Sequence, residues 1–363
     1  MTQSPLSNSP VFFGDKAINW MQTFLRSEEH TQLVVLVDEN TKTHCLDDFF
    51  SLFCLPIDTK VICIISGEEN KSTDSLSKIL SELVAFGADR NSVFINLGGG
   101  LINDLGGLAA SLYLRGIDYV NIPTTLLAQV DASIGSKVGI NIGNFKNQAG
   151  LFSPALSILI HSSFLSSLPE REILSGKAEV IKHGLLEGGQ HWERLADKEF
   201  MGNSIQTPWW ENTIQESVKF KTRIVSLDPN ENDIRKTLNF GHTIGHAIET
   251  FSLNNDKSPI SHGEAIAIGM VCEIYLSNLL LGFGGREMTE ITTLIKNTFP
   301  SYVVSDDLIK SVPHLLFKDK KRKGDNINFT LLKKIGNPKI NQNPKEPAII
   351  DALNYYKTNH PSK

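Results

Sequence analysis

The chain has 363 residues, more than one hydrophobic core usually serves, so two domains are expected. Its apolar fraction of 40% and charged fraction of 21% are typical of folded soluble proteins and exclude disorder as the dominant state. The longest unbroken apolar runs, such as residues 61–65, are far too short to span a membrane, and the net charge of −5 argues against bulk attraction to nucleic acid.

The N-terminus and the cysteines both favour a cytoplasmic protein. The first ten residues are polar and show no charged start followed by an apolar stretch, so no secretory signal is predicted. The cysteines show no paired spacing and are interpreted as small apolar residues in a reducing compartment. They are Cys45, Cys54, Cys63 and Cys272.

The first part of the chain alternates between predicted strands and helices. The β-rich runs are 33–37, 61–65, 93–97, 119–122 and 156–160. Between them, apolar residues recur at helical spacing, as at Leu101, Leu105, Leu108 and Leu112. This alternation predicts a Rossmann-like α/β domain with a mainly parallel sheet covered on both faces.

The second part is predicted to be helical. The expected helices are 171–186, 210–227, 237–251 and 263–281, and the last is apolar nearly all round, as in a core helix. Residues 327–332 could form a strand or a short hairpin, and the end of the proline-containing tail 341–363 is expected to be loosely held. The predicted domains are therefore 1–165, α/β, and 166–363, all-α.

Two features of the α/β part could bind a nucleotide. Gly98, Gly99 and Gly100 follow a strand and open a helix, where the backbone can approach a phosphate, although Asn103 breaks the GxGxxG pattern. A tight strand-to-helix turn is the alternative. Asp38 ends another strand, where its carboxylate could bind a ribose or cap a helix, and without context the cap is favoured.

A polar connection after the strand at 119–122 could bind an anionic or polyhydroxyl ligand. It contains Asp131, Lys137, Lys146 and Asn147, which combine point charges with neutral donors. The alternative is a solvated loop. The basic run 318–324 is interpreted as a solvated loop as well, because no aromatic residues are interleaved with it.

The helical part contains a candidate metal site. Glu179 and Lys182 share a face of one predicted helix, where apolar neighbours favour a buried pair over a surface ion pair. On another predicted helix His242 and His246 share a face, and His262 and Glu264 follow nearby. Imidazoles at this spacing near a carboxylate favour zinc over a purely structural role. The residues alone do not select which two histidines would bind the metal.

Together these segments resemble the 3-dehydroquinate synthase family, within the sugar-phosphate cyclases. The matching strings are GGGLINDLGG, YLRGIDYVNIPTTLLAQVDASIGSKVGIN, KNQAGLF, LPEREILSGKAEVIKHGLL, RKTLNFGHTIGHAIE and SHGEAIAIGM. They span residues 98–270, with weaker echoes on both sides. The resemblance implies a nucleotide-binding α/β domain, a metal- and substrate-binding helical domain and a homodimer.

The resemblance also implies roles for individual residues. Zinc or cobalt would be held by Glu179, His242 and His262, which assigns His246 to the substrate. NAD would contact Asp38, Asn40, Glu68, Lys71, Gly99, Gly100, Asp104, Thr124, Thr125, Lys146, Phe164 and Ser167. The substrate and catalytic positions would be Asp131, Lys137, Asn147, Lys182, Lys221, Arg235, Asn239 and His246, with Lys320 or Lys321. Arg115 would be lent across the dimer interface.

The implied reaction converts 3-deoxy-D-arabino-heptulosonate 7-phosphate into 3-dehydroquinate and phosphate, the shikimate-pathway step of aromatic amino acid biosynthesis. It runs through transient oxidation by NAD, phosphate elimination, reduction and intramolecular aldol closure. We expect Arg235 and the late lysine to bind the carboxylate, and Lys137, Asn147, His246 and Arg115 to bind the phosphate. No nucleic acid or membrane partner is expected.

Three alternatives are weighed against this interpretation. A related cyclase, of the 2-deoxy-scyllo-inosose or valiolone synthase type, is disfavoured because Arg235 and Asn239 are both present. A metal-dependent alcohol or glycerol dehydrogenase would show another ligand pattern, and a non-catalytic paralogue would have lost parts of the set. Departures from the family pattern include Val138, which lacks a hydroxyl near Lys137, and Lys177, expected to add a charge near the metal.

Overall fold

The computed structural model describes residues 9–27, 29–143, 145–195, 197–202, 205–318 and 327–360. The chain forms two compact units. The first comprises residues 1–169 and 205–229, and the second comprises residues 170–204 and 230–363. The predicted boundary at residue 165 differs in one main respect, because residues 205–229 group with the first unit.

The first unit is an α/β domain around a six-stranded sheet. Its elements are β1 (Val11–Phe13), α1 (Asp15–Arg26), β2 (Leu33–Asp38), α2 (Glu39–His44), α3 (Leu46–Phe53), β3 (Lys60–Ile64), α4 (Thr73–Ala85), β4 (Val93–Gly98), α5 (Gly100–Leu112), β5 (Tyr119–Pro123), β6 (Lys137–Ile142), β7 (Phe145–Phe152), β8 (Ser157–Ile160) and α9 (Pro208–Leu227). The strand order is β1-β8-β5-β4-β2-β3, and every pair is parallel. The predicted fold class is thus confirmed.

The sheet is buried on both faces, as its continuous apolar strands require. On one face, the inward residues of β2, β4 and β5 pack against α1 and α3, where Met21, Phe49 and Phe53 are fully buried. This packing places the carboxyl ends of β4 and β5, and the turns that follow them, where α/β proteins bind ligands.

The polar connection between residues 137 and 152 is an antiparallel hairpin, β6–β7, and not the loop given as one alternative above. Its second strand is mostly exposed, so it lacks the alternation that identifies a strand in a sequence. The hairpin places Lys137 at its base, and Lys146 and Asn147 near its turn.

Helix α9 belongs to the first unit because two polar contacts and its apolar face attach it there. Ser162 donates to Glu211 at 2.9 Å, and the Lys221 ammonium lies 2.8 Å from a carboxylate oxygen of Asp131. Trp210 is fully buried in the helix. The sequence reveals that this segment is helical, but the partner of a helix depends on tertiary packing.

The second unit is mainly helical. Its elements are α6 (Glu170–Glu187), α7 (Gly189–Arg194), α8 (Lys198–Met201), α10 (His242–Asn255), α11 (His262–Leu281), α12 (Gly285–Thr298), α13 (Asp306–Lys318), β9 (Phe329–Lys334), β10 (Asn337–Gln342) and α14 (Glu346–Asn359). Helix α11 is apolar and long enough to cross a membrane, but 72% of that stretch is buried inside the protein, as in a core helix.

Two predicted segments of this unit differ from the structure. The helix expected over 237–251 is a 3₁₀ turn, Ile234–Asn239, followed by α10, because Gly241 adopts a left-handed φ of 79° between them. The tail 341–363, for which no helix was predicted, contains α14, which has Pro347 in its first turn, where proline is tolerated, and buries Leu353 and Tyr356.

Candidate functional site

The glycine-rich turn of the first unit is locked by a side chain. Gly99 caps α5, and a Cβ placed on it would lie 3.1 Å from Thr125, so the backbone runs close to that residue. Asn103 donates from its amide to the carbonyls of Gly98 and Gly99, at 3.0 and 2.7 Å. The asparagine that departs from the GxGxxG pattern therefore fixes the turn.

The other residues predicted to contact NAD differ from one another in burial and in hydrogen bonding. Asp38 caps α2 by accepting from the Thr41 N–H at 2.7 Å, so a ribose contact requires its second oxygen. Asn40 is exposed on the same helix, Phe164 is buried in the apolar core, and Ser167 is exposed. Thr124, which follows β5, is buried.

A network around Lys71 joins the turn after β3 to α5 and to the hairpin. The buried ammonium of Lys71 contacts Asp104 and donates to Asn147 Oδ1 at 2.6 Å. Burial alone would lower the pKa of Lys71, but the charges of Asp104 and Glu68 outweigh it and the pKa is raised. Asn141 donates to Glu68 Oε1 at 2.9 Å and accepts from the Asn147 N–H at 2.8 Å.

The other residues of the first unit that were singled out in the sequence lie on three separate segments. Asp131, in the turn after β5, pairs with Lys221 of α9, which also donates to the Asp131 carbonyl at 2.6 Å. Val138 is buried against Gly107 of α5, where a Cβ would lie 2.5 Å away. Arg115 is exposed and has a φ of 71°, in the left-handed region.

In the second unit, α6, α10 and α11 bring a carboxylate and imidazoles together. Glu179 is completely buried on α6, and its Oε2 pairs with the Lys182 ammonium. Its Oε1 lies 3.5 Å from His242 Nε2 and 3.9 Å from His262 Nε2. Nitrogens of His242, His246 and His262 all lie within 4.8 Å of one another. The predicted candidate ligands therefore converge.

The hydrogen bonds behind two of these imidazoles fix their tautomers. His242 Nδ1 lies 3.1 Å from the Phe240 carbonyl oxygen, which can only accept, so this nitrogen carries the proton. His262 Nδ1 lies 3.4 Å from Glu249 Oε2 and donates likewise. The neutral ring of His242 then turns its Nε2 lone pair toward Glu179 Oε1.

Burial and the neighbouring Lys182 charge lower the pKa of His242 well below its usual range, which keeps its imidazole neutral. The Nε2 lone pair of His242 thus faces a carboxylate oxygen, and no hydrogen-bond donor reaches Glu179 Oε1 within the described part of the chain. These electron-rich atoms repel one another unless a cation binds between them. Imidazole nitrogens and a carboxylate oxygen are ligands that zinc and cobalt accept, so these residues fit the implied metal.

The backbone around these ligands is held by two further carboxylates. Glu264, the carboxylate considered beside His262 in the sequence, caps α11 together with Ser261, and Arg171 links it to the Pro259 carbonyl. Glu273, which was not singled out in the sequence, accepts two backbone N–H groups at the start of α10. Burial raises the pKa of Glu273 to about 8. Its signal in the sequence was a charged residue within the apolar stretch 265–276.

Several predicted substrate residues also lie in this unit. Arg235 is buried in the 3₁₀ turn, Asn239 donates to Glu231 Oε1 at 2.9 Å, and His246 is exposed on α10. Lys320 and Lys321 lie outside the described residues.

Lys177 does not add its charge beside the ligands as expected. Its ammonium donates to the carbonyls of Phe200 and Gly202, at 2.8 and 3.2 Å. Lys177 lies two residues before Glu179 on α6, so the two side chains lie on different faces of the helix. Burial lowers the pKa of Lys177.

Comparison with known families and proteins identifies the family to which this chain belongs. Models of the 3-dehydroquinate synthase N-terminal and C-terminal domains match residues 61–175 and 176–322. The 3-dehydroquinate synthase of Parabacteroides distasonis is 41% identical over 342 residues, which cover 93% of this chain and 94% of that protein. The chain belongs to the 3-dehydroquinate synthase family. The family predicted from the motifs is confirmed, and with it the enzyme class, a phosphorus–oxygen lyase.

Solved structures share the fold at lower identity. A 2-deoxy-scyllo-inosose synthase, complexed with carbaglucose-6-phosphate, NAD⁺ and Co²⁺, aligns with a TM-score of 0.82 at 24% identity and covers 94% of this chain and 95% of its own. The 2-epi-5-epi-valiolone synthase from Streptomyces hygroscopicus, with NAD⁺ and Zn²⁺ bound, aligns at 0.81 and 23%, covering 97% of each chain. These similarities show that the fold is that of the sugar-phosphate cyclases.

Proposed function

We propose that this member of the 3-dehydroquinate synthase family converts 3-deoxy-D-arabino-heptulosonate 7-phosphate into 3-dehydroquinate and phosphate, with NAD and zinc or cobalt as cofactors. The observation that carries the proposal is the convergence of Glu179 Oε1 with the Nε2 atoms of His242 and His262. When bound, the metal would polarise the oxygen at the reacting carbon, and NAD would take up and return one hydride.

The chain's own side chains would bind and orient the substrate. Arg235 presents a planar guanidinium suited to a carboxylate, and His246 and Lys137 supply groups for the phosphate. Lys182, paired with the buried Glu179, would keep a positive charge beside the metal ligands and favour the oxyanion that forms on oxidation.

In the first unit, the proposed NAD contacts rest on two preformed turns. Asn103 holds the carbonyls of the glycine turn, which favours a conformation in which the N–H groups at the start of α5 can face a pyrophosphate. The Lys71 network keeps the turn after β3 attached to the hairpin that carries Lys146 and Asn147.

We further propose a cytoplasmic homodimer. Its support is an exposed apolar surface on the hairpin and the end of α5, which comprises Leu112, Leu114, Ile142, Phe145, Leu151 and Phe152. Ser111 and Ser153 hydrogen-bond at 2.8 Å and join the two parts of this surface. Arg115 follows directly in the chain, so a second copy could receive its guanidinium. Sedimentation of wild type and of Phe145→Lys tests this, and a wild-type monomer contradicts it.

The decisive experiment measures phosphate release from the heptulosonate phosphate with catalytic NAD and zinc or cobalt, while NADH is followed by absorbance. We expect stoichiometric phosphate and dehydroquinate without net NADH. Net NADH would indicate a dehydrogenase, and turnover of other sugar phosphates alone would indicate a related cyclase. Arg235→Ala should lose activity, whereas an unchanged rate would refute its carboxylate role.

A further inference from the structure

Glu273 is a buried carboxylate that no part of the proposed reaction uses. It lies on α11, three turns after His262, and is fully buried. Its Oε2 accepts from the Gly241 N–H at 2.6 Å, and its Oε1 accepts from the Ile244 N–H at 3.2 Å. Both oxygens are therefore directed at the first turn of α10, which carries His242.

The first turn of α10 needs such a partner from outside. A helix leaves its first backbone N–H groups without intrahelical acceptors, and a side chain at the N-cap usually accepts from them. Here the N-cap is Gly241, which has no side chain to offer. Helix α11 packs so closely that a Cβ on Gly269 would lie 2.0 Å from the Gly241 carbonyl oxygen. This approach lets Glu273 act as the cap.

One peptide plane connects Glu273 to the imidazole of His242. The peptide unit between Phe240 and Gly241 donates its N–H to Glu273 and accepts, through its C=O, the Nδ1 proton of His242. A peptide unit is rigid and planar, so fixing its N–H fixes the direction of its C=O. Hydrogen bonds in such a chain also polarise one another.

We propose that Glu273 is a positioning residue of the metal centre, which acts through the Phe240–Gly241 peptide to hold His242 Nε2 toward Glu179. The inference rests on the metal site of the proposed function. A carboxylate or carbonyl behind a metal-bound histidine raises its basicity and fixes its tautomer, and losing it typically costs about 10–100-fold in metal affinity.

The test is the metal affinity of Glu273→Gln, measured by competition with a chromophoric chelator, together with the visible spectrum of the Co²⁺ form. The measurement is made at about pH 9, where Glu273, with a pKa of about 8, is ionised and both of its oxygens accept. Glutamine keeps the shape but offers one acceptor oxygen, so one of the two N–H groups would face an amide donor. We expect affinity about 10–100-fold weaker than wild type and an altered Co²⁺ spectrum.

The matched control is Ser277→Ala, one turn further along α11. Ser277 is equally buried, and its hydroxyl accepts from the Leu332 N–H at 2.9 Å and donates to the Glu273 main-chain carbonyl at 2.6 Å. Its loss therefore removes core hydrogen bonds beside Glu273 but keeps the carboxylate that contacts α10. We expect a lower melting temperature in chelator but wild-type metal affinity. Wild-type affinity and spectrum in Glu273→Gln would reduce Glu273 to a structural cap and overturn the inference.

Two further measurements keep the test open if Glu273→Gln does not fold. Glu273→Asp keeps both oxygens but retracts them by one methylene, and should bind the metal with intermediate affinity. In the metal-free wild type, ¹⁵N-histidine spectra should show His242 protonated on Nδ1, and protonation on Nε2 would contradict the peptide relay. A wild type that binds no metal would overturn the proposed function as well, whereas wild-type binding with an unaffected variant overturns this inference alone.

Discussion

The polar groups of the two units are satisfied in opposite ways. Around Lys71, the ammonium faces Asp104 and Asn147, and Asn141 faces Glu68 and Asn147, so each of these contacts joins a donor to an acceptor. Around Glu179, a carboxylate oxygen lies 3.5 Å from the Nε2 lone pair of His242, and the two repel. The first arrangement is preorganised by the chain itself, and the second requires a cation to become favourable.

The two regions therefore differ in the source of their stability. A buried ion pair that loses one partner leaves an uncompensated charge, so the first region should be sensitive to mutation even without ligand. A site of convergent ligands gains stability only when metal binds, by an amount set by the ratio of metal concentration to Kd. Mutations in the two regions should therefore be separable by the presence of a chelator.

The largest effect is expected for Glu179→Gln, because it removes the charged ligand on which both imidazoles converge. Phosphate release should fall on the order of 10³-fold, and the rise in melting temperature on adding zinc should vanish. Glu170→Gln, an exposed change on the same helix, is the control and should retain both. A variant that still gains stability from zinc would place the metal elsewhere.

Lys71→Met should destabilise the protein by up to about 3 kcal/mol, with or without chelator, because Asp104, whose side chain is 20% exposed, loses the cation with which it pairs. Urea unfolding measures this, and Lys78→Met, which alters an exposed lysine of α4, is the control. Adding Asp104→Asn should recover part of the loss. Additive single and double changes would show that the two residues do not depend on each other.

Asn141→Asp should weaken NAD binding by about 1–2 kcal/mol, since the new carboxylate loses its donor and faces Glu68. The loss should shrink at high salt if the repulsion is exposed to solvent. Gln148→Glu makes the same chemical change elsewhere on the hairpin and should leave affinity unchanged. Calorimetric titration with NAD provides the measurement, and equal affinities for Asn141→Asp and wild type would remove Asn141 from the nucleotide site.

Much of the fold could be predicted because the parallel strands read as continuous apolar runs, as buried strands must. Strand β1 was missed because Val11–Phe13 is too short for a pattern, and the hairpin because β7 is largely polar. Helix α14 was not predicted, although Pro347 lies in its first turn, where proline is tolerated.

The candidate site, too, could be predicted from the sequence only in part. Spacing and resemblance identify the converging ligands, since those side chains carry the chemistry themselves. Glu273, Asn141 and Asn103 were not identified as positioning groups because they act on backbone atoms whose positions depend on the tertiary fold. A charged residue within the apolar stretch 265–276 was the one signal available for Glu273.

The smallest effect concerns the end of α14 and depends on pH. His360 is buried and stacks on Tyr356 at 4.2 Å, and burial lowers the pKa of its imidazole. Neither ring nitrogen has a hydrogen-bond partner among the described residues. Below the unfolded pKa of 6.5, the unfolded chain binds a proton that the folded chain does not, so stability falls as the pH falls.

His360→Phe keeps the stacking and removes this titration. Urea unfolding at about pH 7.5 and about pH 5.5 should show that the substitution stabilises the protein more at the lower pH, with a slope of at most about 1.4 kcal/mol per pH unit. His314→Phe changes an exposed histidine and should leave the pH dependence as it is. If His360→Phe loses as much stability on acidification as wild type does, the buried imidazole is not the group that titrates.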